Sequence, residues 1–221
     1  RFNANVPNWN GTPGTLVSYL VDDSGVPLSS PQYIDNLDSL EFGGNSQYSL
    51  NTVALSIDVL SVNNAPIATI ADVVLASIDE DNTTSAGNSI LNLFGPYFDD
   101  SLDGVLGGSA ENNFIGVVIA ENNSTSDQGV WQYLLSSGEW SDIMQIEPSQ
   151  GLFLSTETDI RFNPALNYNG SPGNLRCHLM EDDSSGEVID SGDEKDVTIV
   201  GGSTTFSESL IVLETSISPL N

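Results

Sequence analysis

The sequence repeats itself over a distance of about one domain, and this constrains the fold more than any other feature. Arg1-Phe2-Asn3 recurs as Arg161-Phe162-Asn163, and Asn10-Gly11-Thr12-Pro13-Gly14 recurs as Asn169-Gly170-Ser171-Pro172-Gly173. The offset is 160 residues at the first pair and 159 at the second, and it falls to 158 further along the chain. A repeat of that length predicts an array of similar modules rather than a single catalytic body.

The repeat places a module boundary at the segment Val62-Asn63-Asn64-Ala65-Pro66, which we call the joint. Proline stops strand pairing and holds the residue before it in an extended conformation, as a connection between modules requires. Ahead of the joint, residues 53–63 align with residues 211–221 at the end of the sequence. We therefore predict that residues 1–64 are the C-terminal part of one repeat and residues 65–221 are one nearly complete repeat.

Short segments that alternate apolar and polar residues lie between clusters of Gly, Asn, Asp, Ser and Pro. This alternation has the period of a β-strand and covers residues 53–59, 114–119, 152–154, 160–162, 175–180 and 196–200. Only residues 89–94 favour a short turn of helix. The pattern predicts an all-β fold of antiparallel β-sandwich repeats in tandem, of the immunoglobulin or cadherin-like kind.

Acidic residues dominate the charged part of the composition. The chain has 31 Asp and Glu against 4 Lys and Arg, which gives a formal net charge of -27. Nucleic-acid binding is excluded because phosphate contacts need clustered basic residues, and we expect no membrane insertion of this segment. A folded surface of this sign attracts cations. Because Cys177 is the only cysteine, no disulfide can join two parts of the chain, and we expect bound Ca²⁺ to brace it instead.

Calcium takes oxygen ligands from carboxylates, carbonyls and water, and oxygen-rich side chains cluster at several points of the sequence. Glu80 and Asp81 follow the joint closely, and we expect them to fold back onto it. The equivalent strands of the two repeats both end in acids, at Asp22 and at Glu181. The alternative for each acid is that it accepts hydrogen bonds from backbone N–H groups in a turn. The predicted Ca²⁺ ligands are Asp22, Asp23, Asn63, Asn64, Glu80, Asp81, Asp99, Asp100, Asp103, Glu181, Asp182 and Asp183.

Two further groups of residues invite a chemical interpretation. Trp131, Tyr133 and Trp140 lie on a predicted hairpin, where they can stack on a sugar ring or fill the core. Cys177 and His178 are neighbours in a predicted strand, so their side chains point to opposite faces and do not form a nucleophile–base pair. We predict a packed core residue at Cys177 and no catalytic site.

The order of several motifs resembles the cadherin-like repeats of giant bacterial surface adhesins, of the RTX-adhesin extender and tandem-95 type. The joint resembles the Asn-Asp-Ala-Pro joint of that family, with Asn64 in place of its aspartate. The remaining similar segments are 78–83, 92–100, 129–133 with Glu139-Trp140, and 160–170, and together they cover essentially the whole chain.

That resemblance implies an extracellular, non-enzymatic spacer on a bacterial cell surface, with Ca²⁺ at and near the joints. The expected partners are neighbouring repeats of the same polypeptide or neighbouring identical subunits. Two alternatives stay open at this point. The chain can be a subunit of an extracellular filament in which another chain completes the half-repeat 1–64 by strand addition. It can also be an adhesin module that binds carbohydrate or peptide through the tryptophans.

Overall fold

The computed structural model describes residues 1–22, 40–183 and 188–220. Strands hold 38% of the chain and helix only 4%, which confirms the all-β class. The chain separates into two compact units, unit 1 with residues 1–61 and 106–109, and unit 2 with residues 62–105 and 110–221. The division of the repeats at residue 64 and the sandwich arrangement of the sheets stay predictions.

Unit 1 is built on two antiparallel strands, β1 (Leu16–Val21) and β2 (Tyr48–Leu55). Leu16 lies opposite Leu55, and the register shifts once between Tyr19 and Val21. Tyr19 stacks on Phe42 with 4.1 Å between the ring centroids, so one face of the pair is partly covered by aromatic packing.

Unit 2 contains most of the regular structure. Its helical elements are the α-helix α1 (Ile90–Phe94) and the adjoining 3-10 turn Gly95–Tyr97, and Ser89 begins the helix by accepting a hydrogen bond from Asn92 N. Its strands are β3 (Ile67–Ala68), β4 (Asp72–Val74), β5 (Ile78–Asp79), β6 (Asn88–Ser89), β7 (Phe98–Asp99), β8 (Phe114–Asn122), β9 (Gly129–Leu134), β10 (Trp140–Asp142), β11 (Gln150–Ser155), β12 (Asp159–Pro164), β13 (Leu175–Glu181), β14 (Glu194–Asp196), β15 (Ile211–Glu214) and β16 (Ile217–Ser218).

Two larger sheets organise these strands. A four-stranded sheet has the order β10-β9-β12-β6, and a six-stranded sheet has the order β14-β11-β8-β13-β15-β4. All neighbours in both sheets are antiparallel except β15 and β4, which run parallel. The short pairs β5–β16 and β3–β7 complete the set.

The larger of two apolar clusters contains side chains from both larger sheets and from α1. Trp131 of β9 and Phe162 of β12 are fully buried and meet edge to face, with 5.3 Å between the ring centroids. Leu175, Cys177 and Leu179 enter the same cluster from β13. The alternate residues of the six-stranded sheet, among them Met180, form a smaller cluster on its other face. The period of two along each strand therefore decides which cluster a side chain joins.

Equivalent residues of the two units make the same backbone contacts. Leu16 pairs with Leu55 in unit 1, and Leu175 pairs with Leu213 in unit 2. The turns Gly43-Gly44 and Gly201-Gly202 have matching positive φ angles, 74° and 61° against 72° and 64°. The bridges Gly11–Val59 and Gly170–Ile217, and the hydrogen bonds Asp22 N–Gln47 O and Glu181 N–Thr205 O, also match.

The first repeated motif behaves differently in the two units. Residues 161–163 belong to β12 and pair with β9, whereas residues 1–3 lie outside any strand. Phe162 is fully buried, but its counterpart Phe2 is 41% exposed. The same tripeptide therefore extends into a strand only where a neighbouring strand accepts it.

Candidate metal centre

Carboxylates of unit 2 collect around the joint, and we call Asp100, Asp103 and Glu181 the acidic centre. Asp100 and Asp103 lie in the loop that follows β7, and Glu181 is the last residue of β13. The loop forms a turn in which Asp103 N donates to Asp100 O at 3.1 Å. All three side chains are buried, with exposures of 4%, 5% and 0%. Buried carboxylates are rare unless they are paired or bind a metal.

The joint is tied to the acidic centre through its two asparagines. Asn64 donates to Asp103 from its backbone N, at 2.9 Å to Oδ1, and from its side-chain Nδ2, at 2.6 Å to the same oxygen. Asn63 Nδ2 donates to Glu181 Oε1 at 2.6 Å. The residues that the sequence places at the start of the repeat therefore contact carboxylates that follow them by 39 and 118 residues.

Two oxygens of the acidic centre are buried without a hydrogen-bond donor. Asp100 Oδ2 accepts from Asn112 N at 2.5 Å, but Asp100 Oδ1 has no partner. Glu181 Oε2 is likewise buried and unpartnered. A buried acceptor without a donor costs about 1–3 kcal/mol of desolvation, and more when it is charged. These oxygens therefore need either a proton or a cation.

The pKa shifts of the acidic centre also indicate that its carboxylates need a proton or a cation. Burial, the largest cause, and the charges of Asp100 and Asp103 together raise the pKa of Glu181 to about 8, and the hydrogen bond from Asn63 opposes the increase. Burial also raises the pKa of Asp100, with the hydrogen bonds from Asn112 N and from the Glu181 side chain opposing it and the charges of Asp103 and Glu111 adding to the increase. Without a cation, Glu181 holds a proton near neutral pH and gives Asp100 a donor.

The donor chemistry fits a hard cation. Carboxylate oxygens, together with asparagine amides that carry an oxygen as well as a nitrogen, are the ligands that Ca²⁺ selects. Within residues 1–22, 40–183 and 188–220, however, no group of three or more His, Cys, Asp or Glu side chains has the arrangement of a metal cage. The fit therefore rests on charge, burial and the two unpartnered oxygens, and the side chains must turn from their amide partners to take up an ion.

Other predicted ligands near the centre have partners of their own. Asp99 Oδ1 accepts from Ser101 N at 2.9 Å, and that hydrogen bond lowers the pKa of Asp99. Asp182 Oδ1 accepts from Asn113 N at 2.6 Å. Both contacts fit the alternative in which an acid satisfies a backbone N–H group. Asp183 and Asp22 are exposed, and Asp23 lies outside the described residues.

Glu80 and Asp81 are not with the joint, so the expectation that they fold back onto it is wrong. Glu80 accepts hydrogen bonds from Asn169 Nδ2 at 3.0 Å and from Leu220 N at 2.8 Å. Asp81 accepts from Asn167 N at 2.7 Å. The parallel pairing of β4 and β5 with β15 and β16 carries the chain toward residue 220 instead.

Of the three aromatic residues predicted on the hairpin, Trp131 and Tyr133 are buried in the core and Trp140 contacts an arginine. Trp131 is fully buried and donates from Nε1 to Gly173 O at 2.9 Å, and Tyr133 is also buried. Trp140 is half-buried with the Arg161 guanidinium 4.0 Å above its ring. Neither Trp131 nor Tyr133 offers a free ring face to a sugar.

Cys177 and His178 point to opposite faces of β13, as predicted. Cys177 packs in the larger core, where burial raises the pKa of its thiol. His178 Nδ1 lies 2.7 Å from Ser207 O, an arrangement in which the ring donates to the carbonyl. Burial lowers the pKa of His178, against the hydrogen bond to Ser207.

Three residues outside the predicted ligand set, Glu111, Asn112 and Asn113, follow the same loop. Asn112 and Asn113 hold Asp100 and Asp182 through their backbone N–H groups, and a Cβ at Gly104 would lie 2.9 Å from Glu111 Oε1. Only Glu111 had a signal in the sequence, since it falls one place late for the glutamate of an EF-hand loop that begins at Asp99. The contacts of Asn112 and Asn113 could not be predicted, because every residue except proline has a backbone N–H group.

Comparisons with protein-family models, with curated proteins and with solved structures find no match to this chain. The resemblance to adhesin repeats therefore depends on the sequence motifs alone.

Proposed function

We propose that this chain is a non-enzymatic, extracellular structural repeat of a large bacterial surface adhesin, and that Ca²⁺ at the acidic centre makes it rigid. The observation that carries the proposal is the pair of buried, unpartnered oxygens, Asp100 Oδ1 and Glu181 Oε2, beside the joint. The motifs that resemble cadherin-like repeats, the internal repeat and the formal charge of -27 support the same function.

The physical role of the ion follows from the contacts of the joint. Asn63 and Asn64 connect the start of unit 2 to Glu181 and Asp103, which come from distant parts of its sequence. When the carboxylates are ionised they repel one another, and the joint is held by amide hydrogen bonds alone. A divalent cation offsets that repulsion and fixes the three segments together.

Among the residues that the structure describes, no helix is long and apolar enough to cross a bilayer.

The proposal is tested by calorimetry of the full chain at pH 7.5 in Ca²⁺ and in EDTA. Binding to the folded state alone stabilises it by about 2.7 kcal/mol when free Ca²⁺ is a hundred times Kd. We expect Ca²⁺ to raise the melting temperature and Glu181→Gln to remove most of that increase. In EDTA, Glu181→Gln should be at least as stable as the wild type, because the buried Glu181 must take up a proton on folding to become neutral, whereas glutamine is neutral without one.

Relative to the wild type, Glu181→Gln should therefore be less stable in Ca²⁺ but not in EDTA. A residue that only packs would change the stability alike in both conditions. Glu157→Gln is the matched control, because Glu157 is exposed in the turn between β11 and β12 and loses the same charge. It should behave as the wild type in both conditions. If the wild type has equal melting temperatures in Ca²⁺ and in EDTA, Ca²⁺ does not stabilise the chain and that part of the proposal is wrong.

A further inference from the structure

In residues 1–22 and 40–61 of unit 1, no strand covers the sheet edges that β8 and β4 cover in unit 2. In unit 2, β13 lies between β15 and β8, and β15 lies between β13 and β4. In the described part of unit 1, β1 and β2 pair only with each other. The outer edge of β1 therefore corresponds to the edge of β13 that β8 occupies.

The apolar side chains beside that edge are exposed in unit 1. Leu16 and Leu20 are 63% and 62% exposed, whereas the equivalent Leu175 and Leu179 are fully buried. On β2, Val53 and Leu55 are also exposed, and they correspond to the fully buried Ile211 and Leu213. Contiguous exposed apolar patches on a sheet with a free edge mark sites of interaction.

We propose that β1 accepts one added β-strand of the β8 type, antiparallel to it, from the front half of a repeat of this kind. The internal repeat specifies the chemistry of that strand, because β1 and β13 share their partner register on the other side. The strand has the apolar pattern of Phe114–Asn122, in which Val117 and Ile119 face the larger core and Val118 faces the smaller one.

The register of the added strand follows from β13 and β8. Leu179 lies opposite Val117, and His178 lies opposite Val118. Because Leu20 and Tyr19 are equivalent to Leu179 and His178, they should lie opposite the corresponding positions of the incoming strand. Main-chain hydrogen bonds then supply affinity, and the side chains on the Leu16–Leu20 face supply specificity. The inference does not rest on the calcium proposal.

The test uses the full chain and a labelled synthetic peptide with the sequence of residues 112–124. Fluorescence anisotropy should show saturable binding that a scrambled peptide lacks. The double variant Leu16→Asp, Leu20→Asp should weaken binding about tenfold or more, because a buried charge is left without a partner. Leu166→Asp is the control, since Leu166 is 80% exposed and lies in unit 2.

A disulfide cross-link checks the register. Leu20→Cys in the chain should join a peptide that carries Val117→Cys and should not join one that carries Val118→Cys, which faces the other side. Cys177 is buried and does not interfere. Binding that the double Asp variant leaves unchanged, or no saturable binding, would overturn the proposal. Sedimentation can also reveal a dimer of the chain. If the double Asp variant dissociates that dimer and the dimer does not bind the peptide, the proposal is overturned and this face is a contact between copies.

Discussion

The pairs β1–β2 and β13–β15 have the same register and the same adjoining glycine turn but opposite burial. Leu16 and Leu20 of β1 are exposed, while Leu175 and Leu179 of β13 are fully buried. Local sequence therefore determines how two neighbouring strands pair and turn. The burial of their side chains depends on strands that come from elsewhere, in unit 2 from β8 and β4.

The largest expected effect comes from truncating the equivalent leucines of the two strand pairs. Leu179→Ala should lower the free energy of unfolding by about 2–5 kcal/mol, because it leaves a cavity in a packed core. Leu20→Ala should change it by less than about 0.5 kcal/mol, because the side chain is already in water. Chemical denaturation of the full chain measures both. Similar losses for the two variants would show that the face of β1 is covered in solution.

The fold class and the repeat could be predicted because both depend on local pattern. Alternation over 114–119 and 175–180 produced β8 and β13, and the Ser89 cap with residues 90–94 produced α1. The segment 196–200 was less well predicted, since β14 covers Glu194–Asp196 and ends where the prediction begins. Gly43-Gly44 and Gly201-Gly202 are separated by the 158 residues of the sequence repeat, and their backbone angles match.

The candidate site could be predicted only in part, because side chains from distant segments form it. Asn63 and Glu181 are both recognisable as oxygen-rich positions, but their contact spans 118 residues and depends on where β13 ends. Glu80 misled the prediction because nearness in sequence is not nearness in space. A strand advances about 3.3 Å per residue, so the extended segment after the joint carries Glu80 to the end near Leu220.

A smaller test concerns the glycine turns, which the two units share. Gly201→Ala should cost about 1–2 kcal/mol, because φ is 72° and L-residues are strained there. The new Cβ would also lie 2.8 Å from Glu208 Cβ, whereas a Cβ at Gly202 meets nothing within 4 Å. Gly202→Ala should therefore cost less than Gly201→Ala, and thermal unfolding resolves the order.

The same ranking should hold for Gly43→Ala and Gly44→Ala in unit 1. A Cβ at Gly43 would lie 2.9 Å from Leu50 Cβ, and a Cβ at Gly44 meets nothing within 4 Å. If the ranking holds in unit 2 and fails in unit 1, the turns are alike in backbone angles but not in packing.

The smallest expected effect is a pH response confined to unit 2. His178 has a lowered pKa because it is buried, so the unfolded chain takes up a proton before the folded chain does. The stability that neutral His178 contributes is complete above pH 6.5 and is lost as the pH falls through its lower folded pKa. One proton limits the slope to about 1.4 kcal/mol per pH unit. Unit 1 has Tyr19 rather than a histidine at the equivalent position.

The variant His178→Asn isolates that response from the titration of the many carboxylates. Its amide can donate to Ser207 O as His178 Nδ1 does, at 2.7 Å in the wild type, but it does not take up a proton. Between pH 6.5 and 5, in EDTA, the wild type should lose stability faster than the variant, and above pH 7 the difference between them should be constant. Parallel stability curves across the whole range would mean that the pKa of His178 is the same in the folded and the unfolded chain, and that burial beside Ser207 does not lower it.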